Sequence, residues 1–200
     1  MTRLPVVMAI TGASGAPYGL RLLQVLAGAG VPVWLVVSAH GWRLLREECG
    51  IGDAEALAGS MGVSWKHVEL FGDDDRGGRP ASGSARTRGM VICPCSMATL
   101  AGIAAGNSRS LIERAADVVL KERRRLVLVP REAPLSLLHL RNMVAVTEAG
   151  ATVIPASPGF YHRPKSIGQL VDFVVQRVVD HLGVEADLVP RWAGGAPRRR

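Results

Sequence analysis

Val6-Val7-Met8-Ala9-Ile10-Thr11-Gly12-Ala13-Ser14-Gly15-Ala16-Pro17-Tyr18-Gly19 is the stretch whose reading decides the fold. A short apolar run rich in β-branched residues stops at small residues and glycines, and a helical pattern follows. That order spells buried strand, tight loop and helix start. Gly12 and Gly15 allow backbone angles closed to other residues and let a second molecule approach the main chain. The first amides of a helix are unpaired and carry partial positive charge, so the loop is a natural phosphate seat, to which Ser14 adds a hydroxyl. Neither common phosphate-loop pattern is present: the P-loop lysine is missing, and the glycine spacing is not Gly-x-Gly-x-x-Gly. From these residues alone the loop is either a phosphate seat or a tight turn without a ligand.

Working outward, Leu20, Leu23, Gln24, Leu26 and Ala27 fall at helical spacing, and Gly28-Ala29-Gly30 ends that helix. Pro32 to Val37 is a second buried strand ending at Ser38. Strand, crossover helix and a second continuous apolar strand make a βαβ unit with parallel strands. The pattern continues with a helix over Gly41–Cys49, a short amphipathic stretch from Asp53 to Met61 and a strand within Trp65–Leu70. Strands follow at 90–93, 126–129 and 151–154, with helices after Ser96 and over 111–121, 136–149 and 167–182. Such alternation, without internal repeats or a linker, predicts one doubly wound α/β domain over residues 1–192, a Rossmann- or flavodoxin-like three-layer sandwich with a mostly parallel sheet. Right-handed crossovers place every strand-end loop on one rim. The Gly12 loop, Ser38, the Ser96 loop, Arg131-Glu132 and the Tyr161 loop are therefore expected to converge there.

Composition narrows the function classes. The 200 residues are 48% apolar, enough for a full core, yet no apolar run reaches the roughly 18 residues that cross a bilayer. With no basic segment leading a long apolar one at the start, the expectation is a cytoplasmic protein without membrane contact. Cys49, Cys93 and Cys95 form no Cys-x-x-Cys pair, so neither a disulfide framework nor a zinc site is indicated. Cys93 and Cys95 flank a proline at a strand end, which reads as packing. The net charge of +7 owes much to the tail from Arg191 to Arg200, and residues 193–200 are expected to be a disordered basic tail rather than a reader of nucleic acid. Asp73-Asp74-Asp75 opens the longest irregular segment and reads as solvated rather than as a metal site. Ser96 and Thr99, three apart at a helix start, either cap it or hold a ligand phosphate.

Several motifs then act together. Thr11-Gly12-Ala13-Ser14-Gly15, Pro80-Ala81-Ser82-Gly83-Ser84, Cys93-Pro94-Cys95-Ser96, Glu113-Arg114-Ala115-Ala116-Asp117 and Leu120-Lys121-Glu122-Arg123-Arg124 resemble those of the UbiX-type flavin prenyltransferases. Pro130-Arg131-Glu132-Ala133-Pro134 and Pro158-Gly159-Phe160-Tyr161-His162 do so too, in family order, and the resemblance spans residue 4 to Trp192. It implies a metal-independent enzyme that alkylates reduced FMN with dimethylallyl monophosphate and closes a fourth ring. The prenylated FMN then serves partner UbiD-type decarboxylases, and a flavin reductase supplies the reduced FMN. It further implies a homododecamer with sites where subunits meet.

Carried over by motif, Gly12, Ala13, Ser14, Ser38, Ser96, Met97, Ala98, Thr99 and Arg131 would hold FMN. Arg114, Lys121, Tyr161 and Arg177 would bind the dimethylallyl phosphate, with Arg131 adding charge. The family's catalytic positions match Ser14, Glu48, Lys121 and Glu132. Cations around a departing phosphate stabilise its charge, and Glu132 would manage the proton lost on ring closure. Glu48 could instead be a surface charge beside Glu47, and Arg114 a structural partner of Asp117. His162 is given a loop hydrogen bond and no chemistry. Departures from the family lie at Arg76-Gly77-Gly78-Arg79, where some members carry a prenyl-covering tryptophan, at Ala39-His40 and at Arg109-Ser110.

Three rival readings remain open at this point. An FMN-dependent cysteine decarboxylase would need a catalytic histidine near Glu48, where only His40 is close. A serine hydrolase would need the Gly-x-Ser-x-Gly elbow, which Ala16 breaks. A flavin carrier without chemistry would have no use for a second phosphate site.

Overall fold

The computed structural model of the chain describes residues 4–191. The expected basic tail lies outside the described residues. Six strands, β1 (Val6–Ile10), β2 (Val33–Val37), β3 (Val68–Phe71), β4 (Gly89–Cys95), β5 (Leu126–Pro130) and β6 (Thr152–Val153), form one sheet in the order β3-β2-β1-β4-β5-β6. Every pairing is parallel, with Val6 opposite Val33 and Ala9 opposite Ile92. The expected doubly wound sheet is present. Its connections reverse direction between β1 and β4, so the strand ends there part and leave a crevice.

The four central strands, β1, β2, β4 and β5, are buried almost throughout, which is why they read as continuous apolar runs rather than alternating ones, while the edge strands β3 and β6 are partly open. Val6, Met8 and Ile10 of β1 face one layer, together with helices α1 (Ala16–Gly28), α2 (Ala39–Cys49), α3 (Ala54–Ser60) and α7 (Ile167–Leu182). Val7 and Ala9 face the other layer, with α4 (Met97–Ala104), α5 (Leu111–Lys121) and α6 (Leu137–Glu148). Met8, Ile10, Leu35 and Ile92 are fully buried, and each such side chain contributes roughly 1.5–3 kcal/mol. That burial makes the strand ends a rigid platform. β4 runs two residues further than its apolar core suggests, through Pro94 to Cys95, with a register shift against β5 after Ile92.

Helix α6 is an exception to the burial pattern. Only Val146 of this helix is buried, while Leu137, Leu138, Leu140 and Val144 are exposed, Leu138 at 68%. Four large apolar side chains thus face outward from one helix, and a contiguous apolar patch of this kind marks an interaction surface.

Candidate functional site at the reversal of the sheet

Thr11 clasps the two strand ends that border the crevice. Its amide donates to the Pro94 carbonyl at 3.1 Å and its hydroxyl to the same oxygen at 3.0 Å. The hydroxyl oxygen in turn accepts from the Ser96 amide at 2.8 Å, and the residue is 1% exposed. On the other side, the Ser38 amide donates to the Ile10 carbonyl at 3.0 Å. Across the top, Arg131 Nε donates to the Ser14 carbonyl at 3.0 Å. Gly12 lies so close to α2 that a Cβ on it would meet the His40 Cβ at 2.5 Å. The predicted FMN set, namely Gly12, Ala13, Ser14, Ser38, Ser96 to Thr99 and Arg131, is thus brought to one rim.

The helix starts at this rim differ. Gly15, at φ 120°, turns the chain into α1 without a side-chain cap of its own. Its amide and that of Ala16 donate instead to Glu48 Oε2, at 2.8 and 2.7 Å. Pro17 has no N–H, so the start of α1 is occupied by a carboxylate from α2. A carboxylate of the chain itself thus stands at this helix start, where the sequence allowed either a phosphate or a turn without a ligand. Glu48 enters the site as the cap of α1.

The start of α4 is arranged otherwise. Ser96 Oγ accepts from the Thr99 amide at 3.2 Å, and the Ser96 and Thr99 hydroxyls lie 2.9 Å apart. The amides of Met97 and Ala98 in the first turn have no acceptor among the described residues. They sit at the positive end of the helix, open toward the crevice. Ser38 likewise caps α2 through the Gly41 amide at 3.0 Å. The thiols beside this rim are not nucleophiles. Burial pushes Cys95 up to about 12 and Cys93 higher still, with the neighbouring Cys95 adding to the effect on Cys93. Both are packing groups, as the sequence indicates.

Other predicted residues lie elsewhere on the chain. Glu132 follows Arg131 on the exposed loop after β5, one carboxylate oxygen accepting from the Ala133 amide at 3.1 Å. Arg114 pairs with Asp117 at 2.8 Å on α5, the structural alternative allowed by the sequence. Lys121 ends α5, five residues before β5 begins, and so stands at the amino-terminal rim of the sheet, paired with Glu122 at 2.6 Å. It also abuts the Ser82-Gly83-Ser84 turn.

The Tyr161 loop does not stay at the strand-end rim as expected; it folds back along α7. Its anchor is a three-ring cluster, with His162 stacked on Phe173 at 5.4 Å and 7°, and Tyr161 edge-on to Phe173 at 5.7 Å. Both ring nitrogens of His162 are shielded without a hydrogen-bond partner, so the loop hydrogen bond expected of it is replaced by stacking. Arg177 lies one turn beyond Phe173. A cavity of about 310 Å³ opens between Tyr161, Phe173, Arg177 and the 189–191 segment.

Two further residues do work that the sequence reading did not assign. Thr11 is the clasp, signalled only by a β-branched hydroxyl residue at a buried strand end. Asp73, first of the aspartate run, caps α5 from a distance: its carbonyl accepts from the Leu111 amide at 2.7 Å and its Oδ1 from Ile112 at 3.0 Å. Nothing local in the sequence links residue 73 to residue 112.

Comparison with known proteins agrees with this geometry. Residues 1–179 match the Flavoprotein family. A flavin prenyltransferase UbiX of Halalkalibacterium halodurans is 49% identical over 191 residues, covering 92% of this chain and 90% of the relative. Among solved structures, AnUbiX (PadA1) in complex with FMN and dimethylallyl pyrophosphate superposes with a TM-score of 0.88 at 40% identity, covering 98% of this chain and all of that one. A dodecameric FMN-dependent UbiX-like decarboxylase from Escherichia coli O157:H7 gives 0.88 at 41% identity, covering 96% of this chain and 100% of the other. On these matches, over nearly the whole of its length, the chain belongs to the Flavoprotein family and within it to the UbiX-type flavin prenyltransferases.

Proposed function

We propose that the chain transfers the dimethylallyl group of dimethylallyl monophosphate to reduced FMN. The observation that carries this reading is the open start of α4 beside the Thr11 clasp. The Met97 and Ala98 amides and the hydroxyls of Ser38 and Thr99 suit the phosphate of FMN, an anion with several acceptor oxygens. The Gly12-Ala13-Ser14 backbone, with no side chain of its own at Gly12, suits the flat ring. When bound, reduced FMN supplies an electron-rich ring as the prenyl acceptor.

The remaining work falls to this chain's side chains. Arg177 and Tyr161 hold the allylic phosphate, and the charges of Arg131, Lys121 and Arg114 stabilise it as the carbon–oxygen bond breaks. Ser14 presents its hydroxyl beside the ring for proton movement. Glu132, with one carboxylate oxygen engaged by its own loop, takes the released proton on the other. Glu48 fixes the Ser14 loop from below through its hold on α1.

A single chain separates these groups: Lys121 is at the amino-terminal rim and Ser14 at the opposite one. Assembly of several copies, through surfaces such as the apolar face of α6, would bring them together, and we propose a homododecamer with composite sites. The product serves a UbiD-type decarboxylase, with a flavin reductase upstream. Arg177, Tyr161 and Lys121 favour this reading over a flavin carrier.

The test is anaerobic. The protein is mixed with reduced FMN and dimethylallyl monophosphate, and the extracted flavin is weighed by mass spectrometry. A five-carbon gain is expected, slowed about a hundredfold or more by Ser14→Ala or Glu132→Gln, the scale of lost acid–base assistance. Flavin recovered unchanged from a protein that binds it tightly would refute transfer.

A further inference from the structure

Gln176 is an amide in the wrong place for a helix packed on apolar neighbours, since it is 3% exposed among the valines of α7. A buried amide must be satisfied, and this one is, by the chain that follows the helix. Its Nε2 donates to the Ala186 carbonyl at 2.9 Å and to Asp180 Oδ1 at 3.0 Å, while its Oε1 accepts from the Leu188 amide at 2.7 Å. One side chain therefore holds residues 186–188 back along the helix they have just left.

The consequence is felt at residue 191. Arg191 Nη2 comes to 3.2 Å from Asp180 Oδ1, while Arg177 Nη1 lies 3.5 Å from Asp180 Oδ2. Two guanidinium groups thus share one carboxylate, and the local charge stays positive. The Asp187 contact to Arg191, at 3.6 Å with Asp187 88% exposed, is screened by water and offsets little of it. Both arginine side chains are more than half exposed, and each guanidinium carries more N–H donors than its contact with Asp180 uses. The cavity beside them is polar at the Arg177–Arg191 end and apolar along Phe173, Val189 and Pro190. That is the shape of a site for a small phosphate ester with a short hydrocarbon tail.

We infer that Arg191 is a further cation of the dimethylallyl-phosphate site, set beside Arg177 and delivered by Gln176 as its positioning residue. The inference rests on the prenyltransferase reading, which gives Arg177 to that phosphate. A dianionic monoester meets two forked donors here instead of one, and Asp180 keeps them from repelling each other apart.

Binding and turnover separate the two claims. Calorimetry on the assembled protein loaded with oxidised FMN measures the affinity for dimethylallyl monophosphate without reaction. Arg191→Ala is expected to weaken it about tenfold, and Arg191→Lys to recover it to within about threefold of the parent, because Lys keeps the charge and loses the fork. FMN affinity should stay as in the parent. Gln176→Ala should reproduce the Arg191→Ala loss, and the double variant should be no weaker than either. Should Gln176→Ala not fold, Gln176→Glu is measured in its place: it keeps the acceptor for Leu188 and faces a carboxylate toward Asp180 and the Ala186 carbonyl. An Arg191→Ala affinity within twofold of the parent overturns the role of Arg191, and additive losses overturn that of Gln176. A parent protein that binds the ester and forms no prenylated flavin refutes the prenyltransferase reading instead. A parent that does not bind the ester refutes both.

Discussion

Helices α1 and α4 start at the same rim, a few ångströms either side of the Thr11 clasp, and the chain treats them oppositely. At α1 the glycine loop looks made for an anion, yet Glu48 already supplies one, with both available amides on a single carboxylate oxygen. At α4 the cap is the local Ser96, and the next two amides have no acceptor among the described residues. A negative group at a helix start is worth up to about 2 kcal/mol when partly buried, whether it comes from a ligand or from the protein. A glycine-rich loop before a helix is therefore an incomplete signal for a phosphate. What decides is whether another element has reached that start first.

The hardest blow to this arrangement is Thr11→Val. It keeps the shape of the side chain and removes the hydroxyl that ties Pro94 to Ser96. The Ser96 amide is left buried without a partner, and the Pro94 carbonyl keeps only the Thr11 amide. The expected loss is about 2–4 kcal/mol, read as a lower denaturation midpoint, with weakened FMN binding because both helix starts lose their common anchor. Thr11→Ser, which restores the hydroxyl, should recover most of it. A parent-like midpoint in the valine variant would show that the clasp is not what joins the two starts.

Glu48→Ala and Ser96→Ala sharpen the comparison because they strike one start each. Removing Glu48 exposes the α1 amides and should cost about 1–2 kcal/mol of stability, while removing Ser96 costs about 1 kcal/mol. FMN affinity should divide them the other way, falling about tenfold with Ser96→Ala and much less with Glu48→Ala. Fluorescence titration of the flavin measures it. If Glu48→Ala tightened FMN binding, the phosphate would belong at α1 after all, with Glu48 its competitor.

How far the sequence carries these conclusions depends on the range of the interaction. The central strands were legible because burial on both faces leaves unbroken apolar runs, and their alternation with helices carried the parallel, doubly wound sheet. The gathering of the loops proposed to hold FMN was legible from topology, which sends strand ends to one rim. The Glu48 cap was not, since its partners are some thirty residues away and Glu47 is its equal by composition. Neither was the Tyr161 loop, where the packing of Tyr161 and His162 on Phe173 of α7 overrides the tendency of a strand-end loop to stay at the rim. Asp73 shows the same limit. Read as a solvated aspartate, it caps a helix 38 residues later.

That third start, α5, gives the mildest test. Beyond Asp73 and Ser110, its first turn holds Glu113, 6% exposed, which accepts from the Arg109 amide at 2.8 Å and from Arg109 Nη2 at 2.8 Å. The hydrogen bond from the Arg109 guanidinium holds its carboxyl below the usual glutamate range, against burial, which pushes it up. The folded protein therefore takes up this proton less readily than the unfolded chain. The stability it contributes is complete above the ordinary glutamate value and is lost as pH falls through the lowered one. Melting temperature followed from neutral pH to about pH 3 should fall less steeply in Glu113→Gln than in the parent. The two curves should lie furthest apart at neutral pH, where only the parent keeps the ion pair, and approach each other in acid. Parallel curves would mean that Arg109, largely exposed, is too well solvated to lower the carboxyl, and that Asp73 and Ser110 hold the start of α5 without it. Either result also tells how a helix start stays closed: by a charge that acid can remove, as at α5, or by a neutral hydroxyl, as at α4, where acid leaves the cap in place.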